Sequence, residues 1–83
     1  MQHVYIGLGS NLGNPAEQLQ RAIAAIAQLP HTSFVSASSL YSSAPLGPAD
    51  QPRFTNAVAH ISTELTANEL LARLQHIELE QGR

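Results

Sequence analysis

The 83-residue sequence predicts an α+β fold. Three observations carry this reading. Apolar residues alternate with a period of two in segments 3–9 and 54–63, as in half-buried strands. They recur at helical spacing in segments 19–29 and 70–77. The two kinds of segment interleave along the chain, separated by turn-forming residues.

Residues 3–9 (His-Val-Tyr-Ile-Gly-Leu-Gly) read as the first strand, with Val4, Ile6 and Leu8 on one face. Residues 9–14 (Gly-Ser-Asn-Leu-Gly-Asn) carry turn chemistry. The first helix then has a defined start. Asn14 is the cap, Pro15 suits the first helical position, and Glu17 stands where an acid reaches back to the cap. Leu19, Ala22, Ile23, Ile26 and Leu29 form its apolar stripe, and Pro30 ends it.

Residues 33–41 read as a second strand, rich in Ser but carrying Phe34, Val35, Leu40 and Tyr41. Segment 42–53 holds three prolines and a glycine and reads as a loop. Residues 54–63 form the third strand. Its alternation sets Phe54, Asn56, Val58 and His60 on one face and Thr55, Ala57, Ala59 and Ile61 on the other. The second helix opens on a capping box, Thr66 with Glu69, and Leu65 and Leu70 are placed to staple it. Leu70, Leu71, Leu74 and Ile77 form its expected buried stripe, with Gly82 as the C-terminal cap.

The order is thus β-α-β-β-α. One more strand completes the β-α-β-β-α-β unit of the ferredoxin-like arrangement, an antiparallel sheet with two helices on one face and the other face open. In that arrangement the final strand lies beside the first. Residues 3–9 are therefore expected to form an apolar, unpaired edge through which the chain self-associates. We expect residues 1–83 to be a single domain, the N-terminal part of a larger one. A chain this short buries only about 60% of the surface it exposes when unfolded.

Composition excludes several function classes. Charged residues make up 12% of the chain, the net charge is −2, there is no Lys, and the four arginines are scattered. A nucleic-acid-binding face needs clustered positive charge, so no nucleic-acid partner is expected. Without Cys there is neither a disulfide framework nor a thiolate metal site. No apolar run reaches the length of a membrane span and the N-terminus has no secretory pattern, so no membrane partner and a cytoplasmic location are expected.

The candidate chemistry lies in three places. Gly7-Leu8-Gly9-Ser10-Asn11-Leu12-Gly13 follows a strand and opens a helix, but Leu12 stands where a dinucleotide fingerprint needs its third glycine. A tight turn that uses glycine for unusual backbone angles is the alternative. A phosphate loop of the Walker type needs a Lys, and there is none. The loop 42–53 is long for a hairpin connection. Phe54 and Asn56 follow it on one strand face, offering a stacking ring and an amide with both donor and acceptor, as a planar heterocycle requires. A solvated sheet face is the other reading of Asn56. On the second helix, Gln75 and Glu78 share a face and suit either a nucleotide's base or ribose, or plain solvent. His3, His31, His60 and His76 show no ligand spacing and read as structural or surface residues, and the dispersed acids include no Asp pair to bridge magnesium.

Several segments, in order and spacing, resemble the hydroxymethyl-dihydropterin pyrophosphokinase family. They are Tyr5-Ile-Gly-Leu-Gly-Ser-Asn-Leu-Gly13, Tyr41 through Pro45-Leu-Gly47, Asp50-Gln-Pro52, Phe54-Thr-Asn56-Ala-Val58, Ile77-Glu78 and Gly82-Arg83. The resemblance covers essentially the whole chain. It implies transfer of a diphosphate from ATP, the co-substrate, to the pterin hydroxymethyl group, with release of AMP and with Mg2+ as cofactor. It implies a pterin pocket of Ser43, Ala44, Leu46, Phe54 and Asn56, an ATP site touched by Gln75 and Glu78, and Arg83 as a catalytic residue opening a mobile loop. Loop 44–53 becomes a lid that keeps water away from the reaction. Two departures stand out. Ser43-Ala44-Pro45 replaces the Thr-Pro-Pro of some members, so the loop is expected to be less rigid. The family's later Arg- and Trp-containing loop and its Leu-Asp-x-Asp magnesium ligands are not among these residues, so this chain provides no metal ligand and is expected to be inactive alone.

Overall fold

The computed structural model describes residues 1–11, 13–44 and 52–80. Its elements run β1 (Gln2–Ser10), α1 (Pro15–Ala27), β2 (Thr32–Ala37), β3 (Tyr41–Ser43), β4 (Phe54–Thr63) and α2 (Ala67–Glu80). All strand pairs are antiparallel. β4 is central, with β1 on one side and β2 and β3 in succession along the other. This is the α+β, ferredoxin-like arrangement, and both helices contribute buried residues to the core on one sheet face.

The stretch expected as one strand, 33–41, is two. A register shift between Phe34 and Ser36 bends β2, which ends at Ala37. The chain then stays near β4 through Ser38, whose backbone N–H donates to the Val58 carbonyl and whose hydroxyl accepts from the Val58 N–H. Pairing resumes at Tyr41 opposite Asn56. Serine hydroxyls compete for backbone partners, which is why a Ser-rich strand is readily interrupted.

The period of two decides which face is buried. Ile6, Ser10, Ala57, Ala59, Ile61 and Thr63 are buried toward the helices. His3, Tyr5, Gly7 and Gly9 pair with Ser62, His60, Val58 and Asn56 on the open face. Ala22, Ile26 and Leu29 of the α1 region meet Ile6, Ala59, Ile61, Leu70 and Ile77 in one core, within which Ile26 and Ile61 are fully buried, and Leu19 is buried as well.

Both helix starts follow the expected chemistry. The Asn14 side chain accepts from the Glu17 N–H at 3.3 Å, with Pro15 at the first turn. Glu17 returns to the Asn14 side-chain amide and also holds Arg21. At α2 the box is reciprocal: the Glu69 N–H donates to Thr66 Oγ1 at 3.1 Å and the Thr66 N–H to Glu69 Oε1 at 2.9 Å. The Thr66 N–H is the main cause holding the Glu69 carboxyl below its ordinary pKa, with the Thr66 side chain second.

Two expectations need correction. Leu71 is not buried but 54% exposed, because the stripe of α2 is wider than what lies beneath it. Gly9 and Ser10 belong to β1 rather than to a turn. Among the described glycines, only Gly13, at φ 59°, uses the left-handed freedom of glycine. The expected Gly82 cap lies outside the described residues.

Candidate functional site

One end of the sheet gathers the polar and aromatic groups. There the end of β1 meets the start of β4: Ser10 pairs with Thr55, and the Asn11 side-chain amide donates to the Pro52 carbonyl at 3.5 Å. Ser10 is 2% exposed, and its hydroxyl donates to Gln18 Oε1 at 2.7 Å, tying this end of β1 to α1.

Phe54 and Asn56 lie two residues apart on the open face of β4, both half-buried. The Asn56 amide points toward β3. Its Nδ2 donates to Ser43 Oγ at 2.7 Å and to the Tyr41 carbonyl at 3.4 Å. Across the other strand boundary stands Gly9. A Cβ placed there would lie 3.0 Å from Asn56 Oδ1 and 3.9 Å from Phe54 Cδ1. Glycine inside a strand is otherwise unfavourable; here it makes room for a neighbouring side chain.

The structure thus brings Ser43, Phe54 and Asn56 together. Ala44 follows directly after β3 and is exposed. Leu46 and most of the expected lid, residues 45–51, lie outside the described residues, as does Arg83. Sequence reasoning placed Gly9 in a glycine-rich turn rather than beside Asn56, and gave Arg53 no role. The Arg53 Nε donates to Ser42 Oγ at 2.8 Å, tying the start of β4 to β3. The signal for Gly9 was a glycine at a strand end opposite an amide, readable only once register is known.

Gln75 and Glu78 lie elsewhere, on the helix-covered side. They line a cavity of about 410 Å3 between α2, α1 and β1, with Gln18 as a further polar group and Leu19, Ile26, Leu71, Leu74 and Ile77 as apolar walls. A second hollow of about 290 Å3, between Val4, Leu65 and Leu70, shares Leu71 and Leu74 with the first. Together they make one trough along β1 beneath α2. Gly9 lines this trough and also faces Asn56, so the two regions adjoin at the end of β1. Among the described residues no strand pairs with the second edge of β1.

The histidines hold one unexpected feature. His3 Nδ1 and His60 Nε2 are 2.9 Å apart, and the Tyr5 ring stacks on His60 with centroids 4.3 Å apart. These residues are 57 positions apart, so no linear spacing reveals the pair. Among the described residues, no three His, Asp or Glu side chains converge as a metal site would require. None of their helices is long and apolar enough to cross a membrane.

Fold and side-chain placement define a class: an α+β protein of ferredoxin-like type whose aromatic and amide groups sit at one end of an open sheet face. Comparison with known proteins narrows this. A sequence model of the 7,8-dihydro-6-hydroxymethylpterin-pyrophosphokinase (HPPK) family matches residues 5–83, and the chain belongs to that family. It is 58% identical over 83 residues to a 2-amino-4-hydroxy-6-hydroxymethyldihydropteridine pyrophosphokinase of Pseudomonas aeruginosa, covering all of this chain and 51% of that protein. It is 60% identical over 79 residues to the protein of the same name from Haemophilus influenzae, covering 95% of this chain and 49% of that protein. It is also 37% identical over 79 residues to the folic acid synthesis protein fol1 of Schizosaccharomyces pombe, 11% of whose length is matched. The chain spans about half the length of the two bacterial relatives it matches.

Proposed function

We propose that this chain is the pterin-side part of a domain that transfers diphosphate from ATP to 6-hydroxymethyl-7,8-dihydropterin. In this reading residues 1–83 form one structural unit, the N-terminal part of a larger cytoplasmic pyrophosphokinase domain. The observation that carries it is the Ser43–Asn56–Gly9 arrangement beside Phe54, in a chain whose family match runs over residues 5–83.

Phe54 stacks on the flat ring and Asn56 hydrogen-bonds its edge. Ser43, Ala44 and Leu46 complete the pocket, largely through their backbone. Gln75 and Glu78 take the base or ribose of ATP, and Arg83 neutralises charge on the phosphates. The hydroxymethyl oxygen of the pterin attacks the β-phosphorus, the bond from that phosphorus to the bridging oxygen breaks, and AMP leaves. Positioning and charge neutralisation supply most of the acceleration in such transfers. Mg2+ serves phosphate neutralisation across the family, but the described residues do not fit it: no acidic cluster is present. No step is therefore routed through the metal, whose ligands are assigned to the part of the relatives that this chain does not match.

The 83-residue chain alone is accordingly inactive. A coupled AMP-release assay comparing it with a chain of the relatives' full length tests this, and comparable turnover by the short chain would refute it.

A second reading is favoured by the trough and by the edge of β1, along Gln2–Leu8, with which no strand among the described residues pairs. A non-catalytic module of this fold, binding pterin or pairing with another chain, would use the same residues. An apolar strand edge beneath an overhanging helix invites a further strand. We place self-association there.

A further inference from the structure

We infer that His3 and His60 form a copper-binding clasp between β1 and β4, in which His3 Nδ1 and His60 Nε2 are neighbouring ligands of one Cu2+ ion and water takes its other positions. The clasp is separate from the pterin end of the sheet. His60 follows Asn56 by four residues along β4, roughly 13 Å at the rise of a strand.

Register builds the pair. His3 stands opposite Ser62 and Tyr5 opposite His60, so the two histidines are diagonal neighbours on the open face. His3 Nδ1 lies 2.9 Å from His60 Nε2, with the ring centroids 5.0 Å apart and the planes tilted by 45°. The Tyr5 ring stacks on His60 within 17° of parallel, which holds that imidazole in orientation. A neutral imidazole carries one N–H, so in the ion-free pair one ring donates to the other. A metal ion takes the place of that shared proton. The proton moves to the other nitrogen of its own ring, and both facing nitrogens then offer lone pairs to the ion. Neither ring changes charge. The rings must turn outward slightly to aim at it, and on this face they have room: His3 is exposed and His60 only half-buried.

Two observations favour copper. Ligands about 2.0 Å from one ion stand about 2.8 Å apart when their bonds meet at a right angle and about 3.3 Å apart at the tetrahedral angle of zinc. The observed 2.9 Å is close to the first, the arrangement of tetragonal Cu2+. The second observation is sulfur. The hydroxyl of Ser62, the residue opposite His3, donates to the Met1 thioether at 3.5 Å, so a soft donor borders the same patch, and thioethers suit copper. Two imidazoles are fewer than the closed ligand set of a resident structural metal. They suit an exchangeable ion, bound across two strands and therefore only by the folded chain.

The test is titration of the chain with Cu2+, read by electron paramagnetic resonance and by thermal unfolding. One ion per chain should bind with a tetragonal spectrum coupled to two imidazole nitrogens, and the unfolding temperature should rise with Cu2+ concentration. His3→Gln and His60→Gln should each weaken binding at least about tenfold and remove that rise, while both variants still unfold cooperatively in EDTA. Failure of the wild-type chain to bind overturns the inference. So does binding that survives His60→Gln, which would place the ion on His3 and nearby backbone nitrogens rather than across the strands. Zn2+ bound as tightly as Cu2+ would overturn the assignment to copper.

Discussion

Ile26 and Ile61 are fully buried at the point where both helices meet the sheet. Removing the side chain of such a residue leaves a cavity that the surroundings only partly close. Ile26→Ala should therefore destabilise the chain by about 2–5 kcal/mol, read from denaturant unfolding; a loss well under 1 kcal/mol would mean that α1 is not docked as described. Glu69 makes a second residue-scale prediction. Its carboxyl pKa is lowered in the folded state, chiefly by the Thr66 N–H. A lowered folded value means that the charged form stabilises the fold. That contribution is present above the unfolded pKa of about 4.3 and is lost as pH falls through the lower folded value. Thermal unfolding followed from about pH 6 to pH 3 should show this loss in the wild type and less of it in Glu69→Gln; identical profiles would contradict it. At this scale the sequence was partly legible. Phe54 and Asn56 stood out because their types and spacing suit a flat ring. The placement of Gly9 against Asn56 and the His3–His60 pair did not, because cross-strand neighbours depend on register, and register is a property of the folded sheet.

Among the elements, the helices announced themselves through their caps. Asn14 and Thr66 both make the side-chain bonds that their positions promise. Thr66→Ala should cost about 1 kcal/mol and Thr66→Ser nearly nothing, measured by thermal or denaturant unfolding; equal effects of the two would mean that the hydroxyl bond is not formed. The faces of β1 and β4 were legible from strict alternation. The interruption between β2 and β3 was not, because a run of serines carries no apolar phase to mark where pairing stops. The exposure of Leu71 was hidden for a related reason. Helical spacing gives the width of an apolar stripe but not the area of what lies opposite, and here α2 overhangs the edge of β1.

At the scale of the whole molecule, that overhang and the polar end of the sheet make different demands. The trough along β1, walled by Leu71 and Leu74, is apolar surface beside an edge strand and favours association. Sedimentation should show self-association that rises with concentration and falls in Leu71→Glu; a monomer at all concentrations would remove that proposal. The polar end carries the functional account. Its central claim is that Phe54 and Asn56, set by β4 and served by Ser43 and Gly9, bind a pterin. Calorimetric titration of the chain with 6-hydroxymethylpterin tests it most directly. The account predicts saturable binding that weakens at least about tenfold, or about 1.4 kcal/mol, in both Phe54→Ala and Asn56→Ala while each variant stays folded. No heat with the folded wild-type chain, or binding indifferent to both substitutions, would contradict it.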